Sequence, residues 1–288
     1  MERKFLSISI NSEAYPALLK EIPDAPTSLF CVGQLPALDT LCIAIVGTRK
    51  ATTQGKALAK RIAYDLTQHG IVVVSGLAMG IDTAAHEGAV EAGGKTIAVL
   101  AGGLDTIYPS QNTALADKII ALKGAILSEY PLQTPSYPNQ FLARNRIVSG
   151  LCVATIVIEA PERSGTQATA RFALEQGREV FVFPGPVDHQ NYMGSHRLIR
   201  DGARLITKAE DIYEDLNIPA TATQQQNLFQ ASTPQEHALL VMLKEAGKPL
   251  SVDKLSELTT LEAHVINSAL ATLVLSGAIQ ETERGFTI

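Results

Sequence analysis

Two short stretches carry residues able to hold an anion. Gly47-Thr48-Arg49-Lys50 offers backbone N–H groups, a hydroxyl and two cations, with Thr52 and Thr53 next, just ahead of a stretch with helical spacing. Amides at a helix start, set beside cationic side chains, favour a phosphate or carboxylate. Phe141-Leu142-Ala143-Arg144-Asn145-Arg146 puts an aromatic ring and two cations within about a turn and a half of helix. Such a group can stack on a base and pair with phosphates, although a core phenylalanine and ordinary surface ion pairs account for it too. Asp82 and His86, spaced i, i+4, fit either an acid–base pair or, as favoured here, a helix N-cap and a buried hydrogen-bonded histidine. Glu159 is a carboxylate at a strand end, with Arg163 placed to neutralise it. No Ser-His-Asp set or metal-ligand cluster is legible, so neither a metal nor another cofactor is expected.

Glycine spacing narrows the chemistry further. A Walker A loop needs Gly-x4-Gly-Lys-Ser/Thr, whereas Gly47 and Gly55 are separated by seven residues and Ala57 follows Lys56. Gly76-Leu77-Ala78-Met79-Gly80 is not the Gly-x-Gly-x-x-Gly dinucleotide turn. Nucleotide hydrolysis and dinucleotide binding are both disfavoured, and these glycines also suit plain tight turns.

The elements that must position these residues repeat as apolar strand, glycine-bearing loop and helix. Strands are expected at 42–46, 71–75, 95–100, 125–128, 153–159 and 179–183, with helices over 56–69, 82–91, 110–123, 141–149 and 166–176. Strands without interior polar residues, each followed by a helix, imply an α/β fold with a doubly wound, mostly parallel sheet covered on both faces. Ligands of such sheets sit at the carboxyl ends of the strands, where Gly47, Gly76, Gly102-Gly103 and Ser164-Gly165-Thr166 should gather. Residues 1–41 look like an N-terminal segment packed on a core domain of 42–216.

A Thr- and Gln-rich stretch over 217–233 suits a linker. Beyond it, 234–288 reads as three helices, over 234–245, 252–258 and 261–276, the last begun by a Thr259-x-x-Glu262 capping box. With a terminal hairpin this is winged-helix-like. Its third helix has no lysine or arginine, and 232–288 carries net charge −3, which suits a protein contact better than groove reading.

With 288 residues, 46% of them hydrophobic, the chain can bury a full core, and its net charge of −5 confines any polyanion site to a local patch. From Phe141 through Lys208 nine Lys/Arg face six Asp/Glu, a local excess of the opposite sign. Cys31, Cys42 and Cys152 are widely spaced, fitting reduced core thiols. No export signal and no membrane anchor are legible, so a cytoplasmic protein is expected.

Many blocks in one order are similar to the DNA-processing protein A (DprA/Smf) family. They are Ile45-Val46-Gly47-Thr48-Arg49, Ser75 through Asp82 with Ala85-His86, Leu100 through Asp105 with Tyr108-Pro109, and Ser128-Glu129-Tyr130-Pro131. Phe141 through Ser149, Glu159-Ala160 with Arg163-Ser164-Gly165-Thr166, Ala173 through Arg178, and Phe183-Pro184-Gly185-Pro186 complete the set. The resemblance covers roughly residues 12 to 215. It implies an extended Rossmann-like domain that binds single-stranded DNA without catalysis, protects incoming strands and helps load the RecA recombinase in natural transformation.

Carried onto this chain, the resemblance makes Arg49, Arg144 and Arg146 phosphate contacts, puts Phe141 near a base, and has the Gly47 and Ser164-Gly165-Thr166 loops donate N–H groups. Thr48, Lys50, Ser75, Gly76, Gly102, Gly103 and Asn145 complete the expected strand-binding set. The family's self-association, at the far end of the domain, points to a homodimer through His196, Leu198, Ile199 and Leu205. Two departures stand out. Leu142-Ala143 occupy places where the family commonly has Pro-Arg, and 41 residues are too few for the N-terminal helical domain of many members.

Two rival functions remain. Cytokinin-activating nucleotide phosphoribohydrolases share a related domain and a Pro-Gly-Gly-x-Gly-Thr-x-x-Glu motif, but here Thr169 stands at the glutamate position. A sensor binding a small nucleotide at the Gly47 loop is the other.

Overall fold

The computed structural model describes residues 4–219, 233–246, 249–259, 261–275, 279–282 and 285–287. The chain forms two compact units, Met1–Ile218 and Pro219–Ile288. The first is a mixed α/β, Rossmann-like unit built on a nine-stranded sheet.

Seven parallel strands form the body of that sheet. They are β3 (Cys42–Val46), β4 (Val72–Ser75), β5 (Thr96–Leu100), β6 (Ala125–Ser128), β7 (Ala154–Val157), β8 (Glu179–Val182) and β9 (Arg204–Leu205). Strands β3 to β7 are buried along their whole length, which is why their apolar runs lack the alternation of a half-exposed sheet. The N-terminal segment is part of the sheet: β1 (Phe5–Ser9) pairs antiparallel with β2 (Ser28–Gly33), and β2 pairs antiparallel with β6.

The strand order is β1-β2-β6-β5-β4-β3-β7-β8-β9. From β3 the chain builds one half outward through β4, β5 and β6, then returns to lay β7 on the other side of β3. The crevice between the carboxyl ends of β3 and β7 is therefore the switch point of the sheet.

Helices α1 (Ala17–Lys20), α2 (Thr53–Gln68), α3 (Ile81–Glu91), α4 (Thr113–Ala121), α5 (Pro138–Gly150), α6 (Gly165–Glu175), α7 (Met193–Arg200) and α8 (Ala209–Asp215) complete the unit. Helix α2 starts three residues earlier than its apolar spacing predicts, because Thr52 caps it, accepting from Gly55 N at 2.9 Å. Asp82 is not the N-cap of α3: Gly80 holds that position at φ 90°, and Asp82 lies in the first turn. Its carboxylate reaches back to accept from Gly76 N at 3.1 Å and Ala78 N at 3.4 Å. Apolar clusters fill both faces of the sheet, and the three cysteines are free and buried within this unit.

The second unit contains α9 (Pro234–Ala246), α10 (Val252–Thr259), α11 (Ala263–Leu275) and an antiparallel pair, β10 (Gln280–Thr282) with β11 (Gly285–Thr287). A capping box opens α9, with Glu236 N donating to Thr233 Oγ1 and Thr233 N to Glu236 Oε2, both at 3.2 Å. Thr259 is the last residue of α10, its hydroxyl donating to Leu255 O at 2.7 Å. The capping box expected from Thr259 to Glu262 is therefore not how α11 begins. Most of the expected linker, residues 220–232, lies outside the described residues. Among the described residues no helix is long and apolar enough to cross a membrane.

Candidate nucleic-acid interface

A cavity of about 410 Å³ opens at the β3–β7 switch point. Its floor and one wall are the β3–α2 loop (Gly47, Thr48, Arg49) and the end of β4 (Gly76, Ala78). Helix α5 supplies Phe141, Leu142, Arg144 and Asn145, and the β7–α6 segment supplies Pro161, Arg163, Ser164, Gly165, Thr166 and Thr169. Charged lining residues are Arg49, Arg144 and Arg163 against Asp82 alone, so the site is locally cationic on a chain of net charge −5.

At the mouth, the Arg49 guanidinium carbon lies 4.8 Å from the Phe141 ring centroid. Phe141 in turn meets Tyr108 at 5.5 Å between centroids, tilted by 59°. Arg49 is exposed and Tyr108 is 52% exposed, so this cation–aromatic–aromatic row keeps open faces. Tyr108 joins the row through that ring contact, and the spacing of residue types alone does not place it there. It stands in the loop after β5, at the same carboxyl rim, and that position is the signal that could have found it.

Deeper in, Arg144 is 4% exposed. Its Nη1 donates to Gly76 O at 2.6 Å and to Val99 O, and its Nε donates to Asn145 Oδ1 at 3.2 Å. Burial pushes its pKa down to about 10, with Asp82 opposing that shift and Arg49 adding to it, so it keeps its charge at neutral pH. Asp82, buried at the cavity wall, is raised by burial against the pull of Arg144 and of the Ala78 and Gly76 amides. A Cβ at position 76 would run into the Arg144 guanidinium, so a larger residue there would have to displace that side chain.

Asn145 extends this arrangement by donating to Gly165 O at 3.2 Å, tying α5 to the start of α6. Ser164 stands at the N-cap of that helix without a side-chain cap bond. The first-turn amides of α6, which have no acceptor within their own helix, stand at the cavity wall beside Thr166. Guanidinium groups, helix-terminal amides and stacked rings together can take alternating anionic and planar groups.

Several expected members lie elsewhere. Arg146 points away from the cavity: its guanidinium takes Glu129 at 2.6 Å and 3.1 Å and Asp24 at 2.7 Å. Residues i and i+2 on a helix are about 200° apart, so Arg144 and Arg146 cannot serve the same face. Lys50 is exposed outside the lining. Ser75 is buried, its hydroxyl donating to Ile45 O at 2.7 Å to join β4 to β3. Gly102 and Gly103 support the loop before α5, through Ser128 Oγ to Gly102 O at 2.7 Å and Gly103 N to Thr134 O at 2.8 Å.

The residues weighed for catalysis are also placed. Glu159 is fully buried and is not paired with Arg163, which is exposed. Its carboxylate instead accepts from Thr52, Asn191 and Tyr192. Thr169 donates to Gly165 O at 3.1 Å. His86 lies in the core against Thr96 Oγ1 at 2.8 Å. Among the described residues no group of three or more His, Cys, Asp or Glu could hold a metal ion. Of the residues expected at a dimer interface, Leu198 is in the core, His196 contacts Gly185 O at 3.0 Å, Ile199 is half-buried, and Leu205 is exposed on β9.

Residues 6–217 match the family model described as DNA recombination-mediator protein A. Protein Smf of Escherichia coli (strain K12) is 38% identical over 97% of this chain and 76% of its own length. The crystal structure of DNA processing protein A (DprA) from Streptococcus pneumoniae superposes with a TM-score of 0.69 at 42% identity, covering 74% of each chain. A structure of DNA processing protein A from Helicobacter pylori, whose description concerns its single-stranded DNA binding mode, gives a TM-score of 0.67 at 33% identity. It covers 74% of this chain and 96% of that one.

Proposed function

This chain belongs to the DNA recombination-mediator protein A family, and from that premise we propose that it binds single-stranded DNA at the β3–β7 cavity without reacting with it. The observation that carries the reading is the row of Arg49, Phe141 and Tyr108 beside a cationic cavity. Stacking needs the faces of bases, which a single strand presents and a duplex encloses. Phosphates then meet Arg49, Arg163 and the first turn of α6, while Arg144 and Asn145 hold the wall and present charge from below.

Non-catalysis is supported by the carboxylates. Asp82 is held by two backbone amides, and Thr169 stands where the phosphoribohydrolase motif has its glutamate. In the cell the protein would protect incoming strands in the cytoplasm, act as a homodimer, and hand strands to the RecA recombinase; family membership supports this part.

The test is fluorescence anisotropy with a labelled single-stranded oligonucleotide and its duplex over a salt series. Wild type is expected to prefer the single strand and to weaken with salt. Phe141→Ala should cost about 1–3 kcal/mol of binding, the range for one base–aromatic stack. Arg49→Ala should flatten the log–log salt slope by about 0.7, one phosphate's share on a single strand. Equal affinity for duplex, or release of free base from a nucleoside monophosphate, would overturn the proposal.

A further inference from the structure

Arg49 is exposed, yet the two residues flanking it are held. Thr48 N donates to the Glu159 carbonyl at 2.9 Å. Lys50 O accepts from Asn191 Nδ2 at 3.0 Å, and the same amide nitrogen donates to Glu159 Oε2 at 2.8 Å. Thr52, the cap of α2, gives Glu159 both its amide, at 3.1 Å, and its hydroxyl. Tyr192 OH completes the set at 3.2 Å from Oε1. Burial, with Glu159 beside it, raises the Tyr192 pKa to about 12, so the phenol keeps the proton it donates. Gly55 makes room for the carboxylate, because a Cβ there would stand 2.5 Å from Glu159 Cδ.

We propose that Glu159 and Asn191 are positioning residues for strand binding, clamping the 48–52 loop so that Arg49 is preset over Phe141. None of the side-chain donors to Glu159 is a cation, so this buried carboxylate acts through directed hydrogen bonds and not through an ion pair. Its donors come from both sides of the switch point, Thr52 from the β3–α2 connection and Asn191 and Tyr192 from the turn leading into α7. An apolar side chain at 159 could fill the volume but would leave the Thr52 amide and the Asn191 amide group without an acceptor. Presetting matters for Arg49 because a long exposed side chain on a free loop would lose its conformational freedom on binding.

This inference rests on the strand-binding reading of the site, and the experiment separates the two. Wild type, Arg49→Ala, Asn191→Ala and the double variant are compared for single-strand affinity over the salt series, with amide hydrogen exchange read across 48–52 in the absence of DNA. Asn191 is half-buried, so its truncation spares the core. The expected result is faster exchange over 48–52, a five- to tenfold loss of affinity in Asn191→Ala, and a double variant no weaker than Arg49→Ala alone. A merely structural role would give additive losses. Wild-type affinity in Asn191→Ala beside a weakened Arg49→Ala overturns the clamp and leaves the strand site standing. If wild type fails to bind, the site reading falls, and unchanged exchange over 48–52 in Asn191→Ala overturns the clamp as well. Glu159→Gln is the second variant. Its amide group turns a donor toward the Thr52 or Asn191 donors, so the same acceleration of exchange is expected, and unchanged exchange counts against the proposal.

Discussion

An imidazole enclosed in the core, like that of His86, makes stability depend on pH in a way a single substitution can isolate. Thr96 Oγ1 donates to Val73 O at 2.6 Å, so the proton between it and His86 Nδ1 belongs to the ring. Burial, helped by the Arg144 charge, lowers the His86 pKa to about 3. A folded value below the unfolded 6.5 means that the unfolded chain takes up the proton first. The contribution is complete above pH 6.5 and is lost as pH falls toward 3. Between pH 7.5 and pH 5.0 it amounts to about 2 kcal/mol, at roughly 1.4 kcal/mol per unit below 6.5. Chemical denaturation at the two pH values should therefore show a smaller loss in His86→Gln than in wild type, by about that amount; equal losses would contradict the assignment. At this scale the sequence was informative about residue types and less so about directions. Arg49 and the Ser164-Gly165-Thr166 turn, at strand-to-helix junctions, and Phe141, in the first turn of α5, meet at the cavity where the sequence pattern expects them to gather. Arg146 misled because charge was counted without the turn of the helix, and Glu159 because its partners Thr52, Asn191 and Tyr192 are distant in sequence.

The strand-and-helix alternation of the middle of the chain was legible because buried parallel strands are nearly pure apolar runs. The pieces that escaped are short or lie at edges: β1 is half-exposed, β9 is two residues long, and α7 and α8 are compact helices between loops. β9 is the outer strand on one edge of the nine-stranded sheet, and Leu205 on it is 51% exposed. Among the described residues no further strand pairs with β9, and a sheet edge carrying an exposed apolar side chain invites a second copy. The four residues expected at that interface are thereby sorted. Truncating Leu198 would damage the monomer's own core, whereas Leu205 can be changed with little cost to the fold. Light scattering at micromolar concentration should give twice the 30.8 kDa chain mass for wild type and the single mass for Leu205→Glu, with nearly unchanged thermal midpoints. A monomeric wild type would remove the dimer from the proposed function.

Over the whole molecule, each apolar cluster among the described residues is made of residues from one of the two units. A chain ending at Ile218 keeps the entire nine-stranded sheet and every residue of the β3–β7 cavity. The removed part carries net charge −3 and, in α11, no lysine or arginine. A polyanion gains nothing electrostatic from such a segment, and removing it takes away a weak repulsion that salt screens. Residues 1–218 should therefore fold cooperatively on their own and bind a single-stranded oligonucleotide within about threefold of the full chain, the truncated form being the tighter at low salt. An affinity loss of tenfold or more in the truncated protein, with its thermal transition intact, would instead place part of the strand-binding surface in the second unit. Retained affinity leaves that unit's acidic helices for a protein partner, the kind of contact their charge favours over a DNA groove.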